Sequence, residues 1–131
     1  MEKLSEKKRF SILARKRSFT YAFRGLRILF ETQQNSWIQM VFAFLIIFLG
    51  VTLKISLVEW TMIIFSIGFV LTAEAFNTAI EIDIDLTSPT YHPYARDTKD
   101  VAAGAVLLAS FTAIAVGMIV FIPKLLLLFG K

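Results

Sequence analysis

The chain has 131 residues, of which 56% are hydrophobic, and a mean hydropathy of +0.68. It is more apolar than soluble proteins, where about 45–50% of residues are apolar, and so small a chain buries too little of its surface to hide the excess. Hydrocarbon is therefore the expected solvent for much of it. There is no cysteine, which excludes disulfides and thiolate metal sites, and one histidine, which argues against a multi-histidine metal centre. The net charge of +4 does not point to nucleic acid. Lys3, Lys7, Lys8, Arg9, Arg15, Lys16, Arg17, Arg24 and Arg27 all precede the first long apolar run, with no aromatic or recognition motif among them. They read as a positive-inside flank that also meets anionic head groups.

In chain order, residues 1–18 are expected to form a basic, partly disordered tail, too charged throughout to be a secretory signal. Residues 19–34 turn amphipathic. Phe19, Phe23, Leu26 and Phe30 recur at spacings of four and three, with Arg24 and Arg27 off that stripe, as in a helix lying in the membrane interface. Three apolar segments follow, at about 37–53, 58–83 and 101–123, each near the roughly 17–25 residues of a membrane span. Between the last two, the segment 86–98 is a polar connector punctuated by Ser88-Pro89 and His92-Pro93. Eleven Arg and Lys residues fall on the side of the tail and this connector; only Lys54, Lys124 and Lys131 fall on the other. The expected fold is thus an all-α membrane protein: a surface helix and three spans, with a cytoplasmic N-terminus and an external C-terminus. Trp37 and Trp60 sit where interfacial anchors sit, and the small residues Ala102, Ala103, Gly104 and Ala105 would let helices approach closely.

The chemistry is concentrated in Ala73–Asp85. At about 100° per residue, Glu74, Asn77, Glu81 and Asp85 lie within roughly 80° of one another, and Asp83 lies opposite. An acidic side chain in the middle of a span costs about 2.5–3.5 kcal/mol, so something must compensate this stripe. Asp85 alone could be a solvated helix end, and Asn77 alone a helix-joining amide; the pair Glu74 and Glu81 asks for more. Carboxylates near a membrane surface suit a divalent cation such as Mg²⁺ bearing phosphates, and one of them can take a proton from a hydroxyl. Those are the parts of phosphoryl transfer. Lys99 and Asp100, opening the third span, could add a cation for phosphate and an anion for an amine or hydroxyl.

The run Glu74-x-x-Asn77-Thr78-Ala79-Ile80-Glu81-x-x-x-Asp85, then Tyr91-His92-Pro93, then Lys99-Asp100-x-Ala102-Ala103-Gly104-Ala105-Val106, resembles the bacterial integral-membrane diacylglycerol kinase and undecaprenol kinase family over about residues 21–123. The resemblance implies a homotrimer in the bacterial cytoplasmic membrane, with composite sites between neighbouring protomers where ATP and Mg²⁺ phosphorylate a lipid alcohol. It implies Glu74 as the catalytic carboxylate, Asn77 as the residue steadying it, and Glu81 as a metal ligand. Tyr21, Thr90, Tyr91, His92, Lys99 and Asp100 match nucleotide-lining positions, with Asp85 supporting them. The run Asp100–Leu108 looks more like the undecaprenol kinase branch than the branch preferring diacylglycerol.

One position departs from the pattern. The family's second metal-binding glutamate lies eight residues after a Gly-Leu pair; here Gly25-Leu26 leads to Gln33. A glutamine offers one neutral oxygen, and Glu31, displaced by about 200° on a regular helix, could substitute only if the helix shifted register. This keeps open a pseudokinase, a non-catalytic cation-binding subunit, or a cation-conducting trimer, although the apolar run beyond Glu74 argues against conduction. If position 33 meets the metal, Gln33→Glu raises activity at limiting Mg²⁺; an unchanged or lower rate would reject the contact.

Overall fold

The computed structural model describes residues 11–130; the basic positions Lys3, Lys7, Lys8 and Arg9, and Lys131, lie outside them. Four helices follow one another: α1 (Ile12–Thr32), α2 (Gln34–Thr52), α3 (Leu57–Thr87) and α4 (Pro93–Phe129). The last three are long and apolar enough to cross a membrane.

Each boundary has a local cause. Helix α1 begins seven residues before the expected position: the side chain of Ser11 accepts from the Ala14 N–H and caps it, so residues 12–18, expected in the tail, are helical. At the other end, Gln33 takes an extended conformation (φ −111°, ψ 105°) and is both the last cap of α1 and the first of α2. The carbonyl of Phe30, left without an intrahelical partner by this break, accepts from the Trp37 indole N–H at 2.7 Å, and the two rings pack at 5.5 Å. Trp37 is therefore a staple across the α1–α2 junction.

The α2–α3 turn is a Schellman cap. Lys54 adopts φ 50°, its N–H reaches the Val51 carbonyl, and the Ile55 N–H reaches the Gly50 carbonyl. Ser56 and Glu59 then close a capping box on α3. Gly50 is needed here for space, because a Cβ would lie 2.9 Å from the Trp60 ring and 3.0 Å from Ile55. The polar connector is shorter than expected. Helix α3 continues to Thr87, and α4 starts at Pro93, which suits a first helical position that needs no N–H; His92 caps it by accepting from the Tyr94 N–H. Helix α4 also runs through Pro123, where the third span was expected to end, as far as Phe129.

Helices α3 and α4 form the main antiparallel pair. The buried residues of α3 fall at Ile63, Ser66, Val70, Glu74 and Asn77, and those of α4 at Ala102, Val106 and Ala109, in each case at spacings of three and four. That is the stripe two nearly parallel helix axes require. Of the small-residue patch, Ala102 is buried in this seam, while a Cβ on Gly104 would touch nothing within 4 Å. At the end of the turn, Ile55, Ile63, Val120 and Phe121 form a core cluster, and Lys124 of α4 pairs with Glu59 of α3 at 3.1 Å. The α2–α3 turn and the end of α4 thus share one end of the bundle. In the single chain the apolar stripe of α1 stays open, with Phe19 and Phe23 each 67% exposed.

Gly50→Val forces Trp60 or Ile55 out of place. It is expected to destabilise the turn by about 1–3 kcal/mol, read as a lower unfolding midpoint in detergent.

Candidate active site

Helix α3 is about 46 Å long at 1.5 Å per residue, and its acidic stripe grades from buried to open. Glu74 is 3% exposed and Asn77 7%; Glu81 is half-buried, and Asp85 and the off-stripe Asp83 are exposed. Thr78, also buried, donates its hydroxyl back to the Glu74 carbonyl at 2.9 Å and so leaves the Glu74 side chain untouched.

The α1–α2 junction lies across this stripe. Gln33 Nε2 donates to Glu81 Oε2 at 2.8 Å, and Asn35 Nδ2 donates to Glu74 Oε1 at 3.3 Å. From α3 itself, Asn77 Nδ2 donates to Glu81 Oε1 at 3.2 Å. Both glutamates are therefore held by neutral amides. Donors lower the cost of burying a carboxylate, and neutral ones bring no opposing charge of their own.

The residues fit Mg²⁺ in kind. The Oδ1 of Asn77 is buried without a partner and belongs to the same side chain that holds Glu81. Together with the Glu81 carboxylate and the amide oxygen that Gln33 can present, it offers hard oxygen ligands. Among the described residues no three His, Cys, Asp or Glu side chains group as a metal site. A protein contribution of one or two oxygens, with phosphate oxygens and water supplying the rest, is the usual mode for Mg²⁺.

Glu31 does not join them. It pairs with Arg27 one turn earlier, at 2.6 Å, with both side chains largely exposed. Helix α1 stays regular to Thr32, so the register shift that would have let Glu31 replace Gln33 does not occur.

Beyond the stripe, at the α3–α4 connector, a cavity of about 380 Å³ gathers Asp85, Thr90, Tyr91, His92, Lys99 and Asp100. Apart from Asp85, expected to support them, these are all the expected nucleotide residues but one: Tyr21 lies on α1, 66% exposed, and does not line it. Lys99 Nζ is 2.8 Å from Asp85 Oδ1, and Arg96 Nε is 3.6 Å from Asp100 Oδ2. Each cation is thus tethered at the rim by a carboxylate.

Sequence reasoning missed Asn35 and Arg96 as site residues. For Asn35 a signal existed: Gln33, Gln34, Asn35, Ser36 and Gln39 are five polar residues opening an otherwise apolar span. Ser36 is fully buried with its Oγ unpartnered, and so is the Oε1 of Gln39. For Arg96 the signal was its i,i+4 spacing to Asp100.

The family model for prokaryotic diacylglycerol kinase matches residues 20–121. The chain belongs to this family. It is accordingly a lipid kinase, and the acidic stripe lies inside the matched region. Among its relatives, an undecaprenol kinase of Bacillus subtilis is 35% identical over 109 residues, covering 83% of this chain and 89% of that protein. A diacylglycerol kinase of Synechocystis is 37% identical over 110 residues, covering 83% of this chain but 63% of the relative. The diacylglycerol kinase of Escherichia coli K12 is 27% identical over 94 residues, covering 72% of this chain and 77% of the relative.

Lys99 separates a structural role from a nucleotide one. Its pair with Asp85 is partly exposed, and such pairs add little to stability, so Lys99→Met is expected to move the unfolding midpoint little. If the cavity takes the nucleotide, the same change raises the KM for ATP roughly tenfold, as one decade of affinity, in a steady-state assay.

Proposed function

We propose that this family member phosphorylates a lipid alcohol with ATP at the membrane–cytoplasm interface, and that its acceptor is undecaprenol. The observation that carries the reading is the placement of two glutamates, Glu74 and Glu81, on one face of a membrane-spanning helix, with the Lys99 cavity one to two turns further along. In this reading the nucleotide lies over that cavity, and Tyr91, His92 and Lys99 orient its phosphates. A neighbouring copy in a homotrimer brings Tyr21 and covers the apolar faces of α2 and α3 that the single chain leaves exposed. Helix α1 lies in the cytoplasmic interface with Phe19 and Phe23 in lipid, which accords with the basic residues on that side.

Mg²⁺, held by Glu81 with Asn77 and Gln33, would neutralise charge on the β- and γ-phosphates. Glu74 does the proton work. Its carboxylate accepts the proton of the lipid hydroxyl while the hydroxyl oxygen bonds to the γ-phosphorus, and the bond from that phosphorus to the β-phosphate oxygen breaks, releasing ADP. Burial of Glu74 keeps competing water from the site, and the hydroxyl reaches it from the bilayer side of the stripe.

Two facts favour undecaprenol. The Bacillus subtilis undecaprenol kinase is matched over 89% of its length, and the run Asp100–Leu108 looks more like that branch. Diacylglycerol is the second reading, supported by the relatives from Synechocystis and Escherichia coli.

A radiolabel transfer assay with undecaprenol and diacylglycerol in parallel tests the acceptor. The expected result is a higher kcat/KM for undecaprenol; the reverse order would move the assignment to diacylglycerol. In the same assay Glu74→Gln is expected to lower kcat by about 10²–10⁴-fold, the usual contribution of general base catalysis. Wild-type turnover in that variant would end the role given to Glu74.

A further inference from the structure

We infer that Asn35 is a positioning residue for the reaction, fixing the Glu74 carboxylate from the first turn of α2; the inference rests on the reading of Glu74 as the catalytic base. The contact is the hydrogen bond from Asn35 Nδ2 to Glu74 Oε1 at 3.3 Å. It reaches between residues 39 apart in sequence and is the side-chain hydrogen bond drawn to the Glu74 carboxylate among the described residues.

Three features make Asn35 a fixed point. The residue two before it, Gln33, is anchored to Glu81 at 2.8 Å. The residue after it, Ser36, is fully buried, and its N–H closes on the Gln33 carbonyl at 3.2 Å. Trp37 then pins the turn to Phe30. The amide of Asn35 is thus presented from a turn held on both sides, whereas Glu74 has a flexible side chain with several rotatable bonds. A base must lie within about 2.6–3.2 Å of the proton it takes. Holding one carboxylate oxygen leaves the other with a defined direction.

The residue type is informative too. An Arg or Lys at position 35 would bind Glu74 more tightly but add a positive charge that holds the carboxylate in its ionised form. A neutral amide orients it and leaves the carboxylate free to accept a proton. The two glutamates, about two turns apart on α3, are then handled alike from one junction, Gln33 on Glu81 and Asn35 on Glu74.

The test is a kinetic cycle in the full-length protein, with Mg-ATP and undecaprenol or a short-chain lipid alcohol. Asn35→Ala is expected to lower kcat about tenfold, the loss of about one hydrogen bond's worth of orientation, with the KM values for ATP and lipid unchanged. Asn35→Gln, which keeps the amide, is expected to recover part of that rate. In a Glu74→Asp background, where the shorter carboxylate is already out of reach, Asn35→Ala is expected to cost nothing further, because residues acting as one unit are not additive. Gln34→Ala, with its side chain outside the junction's bonds, is expected to behave as wild type.

An unchanged kcat in Asn35→Ala, or an equal loss in the Glu74→Asp background, would overturn the inference. So would a lower rate traced only to a raised KM. Failure of the underlying reading looks different: Glu74→Asp itself would then turn over like wild type.

Discussion

The structure depends on how two glutamates are accommodated inside an apolar helix. Each unpaired carboxylate away from water would cost several kcal/mol. The helix that bears Glu74 and Glu81 cannot satisfy both from its own backbone, whose N–H groups are committed to intrahelical bonds. The donors come instead from outside, from Gln33 and Asn35, with Asn77 alone contributed by α3. That requirement explains why the chain breaks at residue 33 rather than running α1 straight into α2. A continuous helix would carry Gln33 and Asn35 about 200° apart, and they could not face one stripe together. The extended residue at the break brings them onto it.

The two ends of the bundle are built by contrasting means. At the turn between α2 and α3, the backbone is closed by the Schellman cap and the capping box, with Trp60 lying over Gly50 and Lys124 tied to Glu59. The result is an apolar-packed end, with Ile55, Ile63, Val120 and Phe121 forming its core. At the other end the polar groups are arranged around open space. Asp85, Lys99, Arg96 and Asp100 ring a cavity, and Asn77 Oδ1, Ser36 Oγ and Gln39 Oε1 are buried without partners. Natural interiors tolerate few such atoms, and here they fall along the acidic stripe and the start of α2.

Much of this was legible in the sequence because it follows from periodicity and cost. Three apolar runs gave three long helices, and the angular spacing of Glu74, Asn77 and Glu81 put them on one face, as found. Helix limits were less legible. Pro93 was read as keeping the residue before it out of helix, and His92 is extended, but α4 starts at Pro93 itself and not near residue 101, since a first-turn proline needs no N–H; Pro123 was read as an end and lies inside α4. The start of α1 was placed at Phe19 because hydrophobic periodicity begins there, but the cap at Ser11 sets it. The polar cluster that holds Asn35 was legible, but the partner of Asn35 was not, for a deeper reason. Its role comes from a contact across 39 positions, and no local pattern encodes which amide of a polar cluster will face which carboxylate.

Gln33 can be understood from the same electrostatics. With glutamine, the side chain donates to Glu81 at 2.8 Å, and the pair is content without a metal. A glutamate at 33 would set two negative charges against each other, a repulsion of about 4 kcal/mol at 4 Å and an effective dielectric of 20, which a bound cation would reverse into attraction. In the proposed reaction a glutamate at that position would make an avid site that is strained when empty. In that reaction the glutamine would make a site that is relaxed when empty and binds its cation less tightly, leaving more of the metal's hold to the nucleotide phosphates that arrive with it. On that proposal Gln33 would not remove the metal from the reaction. It would shift the point at which the metal becomes bound from the free protein to the nucleotide complex, and the unpartnered Oδ1 of Asn77, beside the same carboxylate, would be an oxygen placed to share that load.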